Sequence, residues 1–434
     1  MRRVRRLALA LLLGAAGCAK SEAEWIADLA APEPFARVLA VTALAKAGRS
    51  ETLPLLLAAL DDPSEEVRAA TGAALARWGD PAAPPLIEAL RPEASQVDRH
   101  RALATLPLLG AHAAAPLVEA LLDGEHVSRD ILELLQRLDA EAAGPVIPTL
   151  VAALEAPLPE QRRLAAEALH FLAGNDREAL LGLLRTAHDP DPVVRATAMK
   201  AIVGTLLKRM RTTDGLARHV AEVQIQTLGT EALPALARAL REAAPEEAAE
   251  PIAALATHGA AALMPAFGVL NHRDPQHLQR ACALAAAIGP DALEPLAELM
   301  DSDDPAQRLL ATVALGALGP AARPAVPRLL QDLKDKDTLR RWAAAHALGL
   351  IGPSDDDQLL QLLGAARDAD HVLRDQLAPA LVEALLDRIG TRPAQAAAWR
   401  ERLLALRPEA TPQLERIAGG SGPRAALARS LLEN

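Results

Sequence analysis

Eleven histidines, two cysteines and several aspartate clusters are the side chains that could bind a metal or attack a substrate. Their spacing argues against both. No two histidines stand four apart, the interval that puts two ligands on one helix face; His272 and His277 are five apart and fall on different faces. HExxH, the phosphate-cradling GxxxxGK, the GxSxG nucleophile elbow and GxGxxG are all missing from the sequence. Asp355–Asp357 lack the spaced ligands and central glycine of a calcium loop, and read instead as an acidic helix start. Cys282 lies in RACALAAAIG (280–289), among small apolar residues on a helical pattern. Burial in such surroundings raises a thiol pKa and leaves it inert. The expectation is no catalytic residue, no metal and no cofactor, with no small-molecule substrate evident.

Composition narrows the partners. The formal net charge is -10 and aromatics make up 2% of the residues, with no Tyr. A phosphate backbone needs Lys and Arg to neutralise it, and unpaired bases need rings to stack on, so nucleic acid is not expected. The basic run KRMR (208–211) reads as a solvated loop. Cys18 and Cys282 are the only cysteines, too few for a cysteine zinc centre; with Cys18 committed elsewhere, no intramolecular disulfide can form.

Ala and Leu supply most of the apolar half of the chain, and both favour helix. The 33 prolines suit many short helices, each beginning near a Pro. An internal ruler sets their arrangement. Arg37, Arg68 and Arg99 are each followed by a Leu at offset seven (Leu44, Leu75, Leu106) and a Gly at offset eleven (Gly48, Gly79, Gly110). Arg308 leads to Leu315 and Gly319, and Arg341 to Leu348 and Gly352; Arg163 and Gly174 fit with His170 between them. Six residues after the glycine comes a Pro, as at Pro54, Pro85, Pro116, Pro265 and Pro295. The glycine suits the left-handed turn after a helix, and the proline the first turn of the next. Small residues at offsets three and four join the Leu in one buried stripe. Acidic loops such as DDPSEE (61–66), HDPDP (188–192) and DSDDP (301–305) can cap the helix that follows.

These marks resemble HEAT repeats, in particular the short class also seen in phycobilisome lyases. The resemblance implies an all-α fold, an α-solenoid of HEAT-like helical hairpins. In that family the loop Asp and the Arg of the second helix (helix B) form a ladder between repeats. Asp62 and Arg68, Asp189 and Arg195, and Asp335 and Arg341 carry the spacing, whereas Pro157 stands where Arg163 would need its acid. The lyases act on bilin pigments, but the likeness lies in repeat marks that unrelated scaffolds share.

Residues 1–18, MRRVRRLALALLLGAAGC, have a basic start, a short apolar run and small residues, the three parts of a secretory signal. The run is too short to span a bilayer, which takes about 20 residues. Ala15-Ala16-Gly17-Cys18 resembles a bacterial lipobox, with Ala where Leu is usual. The resemblance implies a lipid-modified Cys18 anchoring the protein to a membrane of the cell envelope on its periplasmic side; Ala19 points to outer-membrane sorting. Plain secretion with cleavage nearby is the other reading.

The expected organisation is therefore a signal peptide at 1–18, HEAT-like repeats over 22–207, an irregular connection at 208–229, further repeats over 230–390, and a helical cap at 391–434. Function is expected to be that of a scaffold binding another protein on the concave surface of helix B; a structural spacer and, remotely, a lyase-like enzyme are the alternatives. Offsets one and five from the marker Arg lie off the buried stripe. Most repeats place Val38, Thr42, Ala69 or Ala73 there, but one places Trp342 and His346, one turn apart, and another His100 with Arg101 beside it. Trp and Arg are frequent interface anchors, so these four are the expected partner-binding residues.

Overall fold

Helix formation follows the punctuation of the sequence: Ser95, Asp274, Asp304 and Asp337 cap the helices that follow them, and Gly48, Gly79, Gly289 and Gly352 end the helices before them. The structure, a computed structural model, describes residues 20–174 and 176–433; the lipobox, Cys18 and the rest of 1–18 lie outside them. The described residues contain no strand. They fall into two units that divide between Thr205 and Leu206.

In the first unit the helices are α1 (Glu22–Asp28), α2 (Pro34–Ala47), α3 (Leu53–Ala59), α4 (Glu65–Trp78), α5 (Ala83–Glu88), α6 (Gln96–Leu109), α7 (Ala111–Asp123), α8 (Ser128–Leu135), α9 (Ala140–Ala143), α10 (Ile147–Ala153), α11 (Pro159–Leu172) and α12 (Arg177–Thr186). Helix α13 (Pro192–Thr212) runs without a break past the division. The second unit continues with α14 (Gly215–Thr227), α15 (Leu233–Glu242), α16 (Ala249–Ala256), α17 (Leu263–Phe267), α18 (Pro275–Ile288), α19 (Leu293–Leu299), α20 (Pro305–Ala317) and α21 (Val326–Asp332). It ends with α22 (Thr338–Ile351), α23 (Asp356–Asp368), α24 (His371–Thr391), α25 (Ala396–Leu404), α26 (Thr411–Ala418) and α27 (Pro423–Leu432).

Within each unit the arginine-bearing helices stack on one another. In the first, α2 packs on α4 and α4 on α6; in the second, α18 packs on α20, α20 on α22 and α22 on α24. The shorter helices form a second row, with α5 on α7, α10 on α12 and α15 on α17. This is an all-α solenoid. The stripe that joins the rows is the one the ruler marks: Ala40, Val41 and Leu44 are buried, as are Thr71, Gly72 and Leu75, and Ala344, Ala345 and Leu348.

Two features of the punctuation differ from expectation. All five marker glycines have positive φ, but only Gly48 is shown in the left-handed helical region (φ 65, ψ 27). Gly79 (φ 79, ψ -141), Gly110 (φ 54, ψ -123) and Gly352 (φ 71, ψ 163) pair positive φ with an extended ψ. That conformation is nearly closed to other residues, so glycine is more necessary there than a simple helix stop requires. Pro116 stands inside α7 rather than in its first turn, because that helix begins directly after Gly110.

The expected irregular connection at 208–229 is mostly helix, belonging to α13 and α14. KRMR is not a solvated loop: it is the last part of α13, where Met210 is buried and Arg211 pairs with Glu247. The ruler slips here because one helix grows to 21 residues, not because helix is lost. Residues 392–433 hold three short α-helices, α25, α26 and α27, all of which pack on α24.

Candidate partner-binding surface

The marker arginine makes a repeated backbone clamp. Its Nη1 donates to the carbonyls six and five residues back: Arg37 to Ala31 (2.8 Å) and Pro32 (3.0 Å), Arg68 to Asp62 (2.8 Å) and Pro63 (3.1 Å). Arg162, Arg195, Arg308 and Arg341 repeat the pattern. Loop carbonyls without a helical partner thereby gain a charged donor.

The opposite edge of the guanidinium makes the ladder. Arg37 grips Asp62 with Nε (2.6 Å) and Nη2 (2.7 Å), and Arg162 grips Asp189 with the same two nitrogens (2.7 and 2.9 Å). These hydrogen bonds hold both carboxyls below their ordinary range. Arg99 reaches Asp130 through Nε. The ladder therefore runs from one repeat's Arg to an acid further along the chain, in the following loop at Asp62 and Asp189 and in the first turn of α8 at Asp130. The pairs at six-residue spacing do not join through their side chains: Arg68, Arg195 and Arg341 bond the aspartate's backbone carbonyl. Nor is the ladder interrupted at Pro157, because Arg162, not Arg163, holds the marker place; Arg163 pairs with Glu160 and Glu167.

His100 is exposed and Arg101 half-buried on α6. Both line a groove of about 700 Å³ between α4 and α6, with Arg68, Ala69, Val97 and Leu108 among its walls. Arg101 is bound to Asp61 and to Asp98 (2.9 Å), while its Nε is buried with no acceptor among the described residues. Between α2 and α4 lies a second hollow of about 470 Å³, lined by Phe35, Val38, Leu39, Thr42 and Ala73. Phe35 is 51% exposed and Leu39 39%. Sequence reasoning missed Phe35, Leu39, Val97 and Leu108; their only signal is an apolar residue off the buried stripe.

Trp342 and His346 do meet, with ring centroids 5.3 Å apart and planes 7° from parallel. Neither projects freely. Trp342 is half-buried against a cluster that includes Leu309, Val313, Leu278 and Cys282, and His346 Nδ1 lies 2.8 Å from Gln376 Oε1 on α24. The pair therefore helps to join repeats as well as reaching the surface. Burial pushes the Cys282 thiol up to about 11. Among the described residues no group of His, Cys, Asp or Glu is arranged to hold a metal ion.

Residues 22–107 match the family of HEAT repeats. No curated protein matches the chain. Among solved structures, a Kap95:Nup1 complex is similar over 95% of this chain and 63% of that one, at 14% identity and a TM-score of 0.44. Importin beta, from a crystal in an ammonium sulfate condition, is similar over 93% of this chain and 56% of that one, at 16% identity and a TM-score of 0.34. The chain spans less than two thirds of either relative.

Proposed function

We propose that this chain is a non-catalytic scaffold that binds another protein on the open face of its arginine-bearing helices. The observation that carries the reading is the pair of hollows along α2, α4 and α6, one of which leaves Phe35 and Leu39 exposed and the other Val97 and Leu108 beside His100 and Arg101. Solenoids characteristically use such extended faces for protein partners, and exposed apolar groups rimmed by polar ones mark interaction sites. Trp342 and His346 are proposed as a second contact. Affinity isolation from an envelope extract tests the reading. A discrete protein held in fixed ratio supports it; self-assembly alone would favour a spacer.

The proposed location is the periplasmic side of the bacterial envelope, with Cys18 lipid-modified as the tether. Support comes from the residues of MRRVRRLALALLLGAAGC and their order. No helix among the described residues is long and apolar enough to cross a membrane. Replacing Cys18→Ser should shift the protein from the membrane fraction to the soluble periplasm. A variant that stays membrane-bound after a salt wash would overturn the lipid tether.

A further inference from the structure

The clamped arginines differ in what meets their outer edge. On Arg37 and Arg162 the Nε–Nη2 edge is filled by an aspartate carboxylate in two parallel hydrogen bonds. On Arg68, as on Arg195, Arg308 and Arg341, the clamp is the same but no carboxylate among the described residues takes that edge; of these, Arg68 has the roomy groove beside it. The position that corresponds to Asp62 in the next loop, 25 residues on from Arg68, holds Glu93, which makes no ion pair among the described residues. Arg37 is accordingly buried and Arg68 exposed.

The groove beside Arg68 is open to an incoming chain. Of the acids on its rim, Asp62 is committed to Arg37 and Asp61 to Arg101. Glu65 sits in the first turn of α4, where a negative charge complements the helix dipole. Among the described residues, that leaves the outer edge of Arg68 and the buried Nε of Arg101 as donors without acceptors. The apolar side is Val97, 64% exposed, and Leu108, 54% exposed. The pocket at Arg308, in the equivalent place on α20, is only about 60 Å³, too small for a peptide.

We propose that the groove between α4 and α6 receives an acidic segment of a partner protein. An Asp or Glu carboxylate of that segment occupies the Nε–Nη2 edge of Arg68, as Asp62 occupies that of Arg37, and a neighbouring apolar side chain lies over Val97 and Leu108. The fold itself supplies the template, since it twice builds a carboxylate onto this edge. A planar fork held by two carbonyls is preorganised for bidentate recognition, which lowers the entropy cost of binding. The assignment rests on the scaffold reading and names the chemistry of one of its partners.

Random dodecapeptides displayed on phage, selected on the full chain, provide the test. The selected sequences should carry Asp or Glu beside a large apolar residue. A fluorescein-labelled peptide of that sequence should bind at least about tenfold more weakly when its acid is replaced by the amide, the scale expected for losing a bidentate ion pair. Arg68→Lys keeps the charge but loses the fork, and should weaken binding to a similar degree. Ala104→Trp leaves the clamp alone and fills the groove; it should abolish binding with an unchanged melting curve. Peptides without an acid, or peptides that bind both variants as well as the parent, would overturn the assignment while leaving a scaffold that binds elsewhere. A library that yields no binder would overturn both.

Discussion

Gly349 offers a sharp test of how closely these helices stack. It lies inside α22, where replacing Gly by Ala would ordinarily raise stability by about 0.5–1 kcal/mol through the smaller entropy of the unfolded chain. Here the packing reverses the sign. A Cβ at this position would overlap the carbonyl oxygen of Gln376 on α24 and lie 3.1 Å from its carbonyl carbon. Both are backbone atoms, so no rotamer change relieves the collision, and the two helices must separate. Overpacking of this kind costs about 1–3 kcal/mol. Set against the propensity gain, a collision with backbone atoms, at the upper end of that cost, leaves Gly349→Ala with a net loss of up to about 2.5 kcal/mol at the α22–α24 junction. Separation would also strain the 2.8 Å contact between His346 and Gln376. Gly364, inside α23 with open space where a Cβ would go, is the control: Gly364→Ala should gain about 0.5–1 kcal/mol. Hydrogen exchange followed by mass spectrometry resolves the two effects. Protection should fall over α22 and α24 in the first variant and rise over α23 in the second. A Gly349→Ala protein that gains protection as Gly364→Ala does would refute the close approach.

Leu75, fully buried on α4, should cost about 2–5 kcal/mol when replaced by Ala. Because repeats couple to their neighbours, exchange should quicken over α2, α4 and α6 and fade beyond; uniform loosening of the whole chain would contradict a solenoid. The Asp189 carboxyl is held below its ordinary value by Arg162, so the stability it supplies is present above that value, 3.8, and lost as pH falls through the lowered one. Asp189→Asn should therefore weaken protection of α11 and α12 at neutral pH and flatten the acid loss that the parent shows below about pH 4. Equal acid slopes in parent and variant would contradict the pairing.

Most of the scaffold could be read from the residues because each repeat writes the same physics again. Arg37, Leu44 and Gly48 fix the face, the stripe and the stop of one helix, and recurrence separates them from chance. Reading failed where a repeat offered two equivalent letters. Arg162 and Arg163 are adjacent, and a slip of one residue turns a side chain about 100° around the helix, enough to exchange a ladder arginine for a surface one. It failed again at 208–229, since a polar run such as KRMR suits either a loop or the outer face of a long helix, and packing of Met210 decides. The surface was half legible. His100 and Arg101 follow from their offsets, but the groove they line depends on the spacing of α4 and α6, which no single residue encodes. Trp342 was visible as an unusual residue on an open face; its packing against Leu309 and Val313 comes from the neighbouring helix and could not be seen from its own.

Site-specific photo-crosslinking tests the central claim, that the arginine-bearing helices present the binding face. A benzophenone amino acid would be placed at exposed positions on that row, Thr42, Ala73 and Ala104, and at exposed positions on the other row, Ala58, Glu88 and Glu119. After irradiation in the cells that make the protein, the first set should yield one discrete adduct with another protein and the second set should not. Adducts from Ala58, Glu88 and Glu119 alone, or adducts only between copies of this chain, would contradict the account.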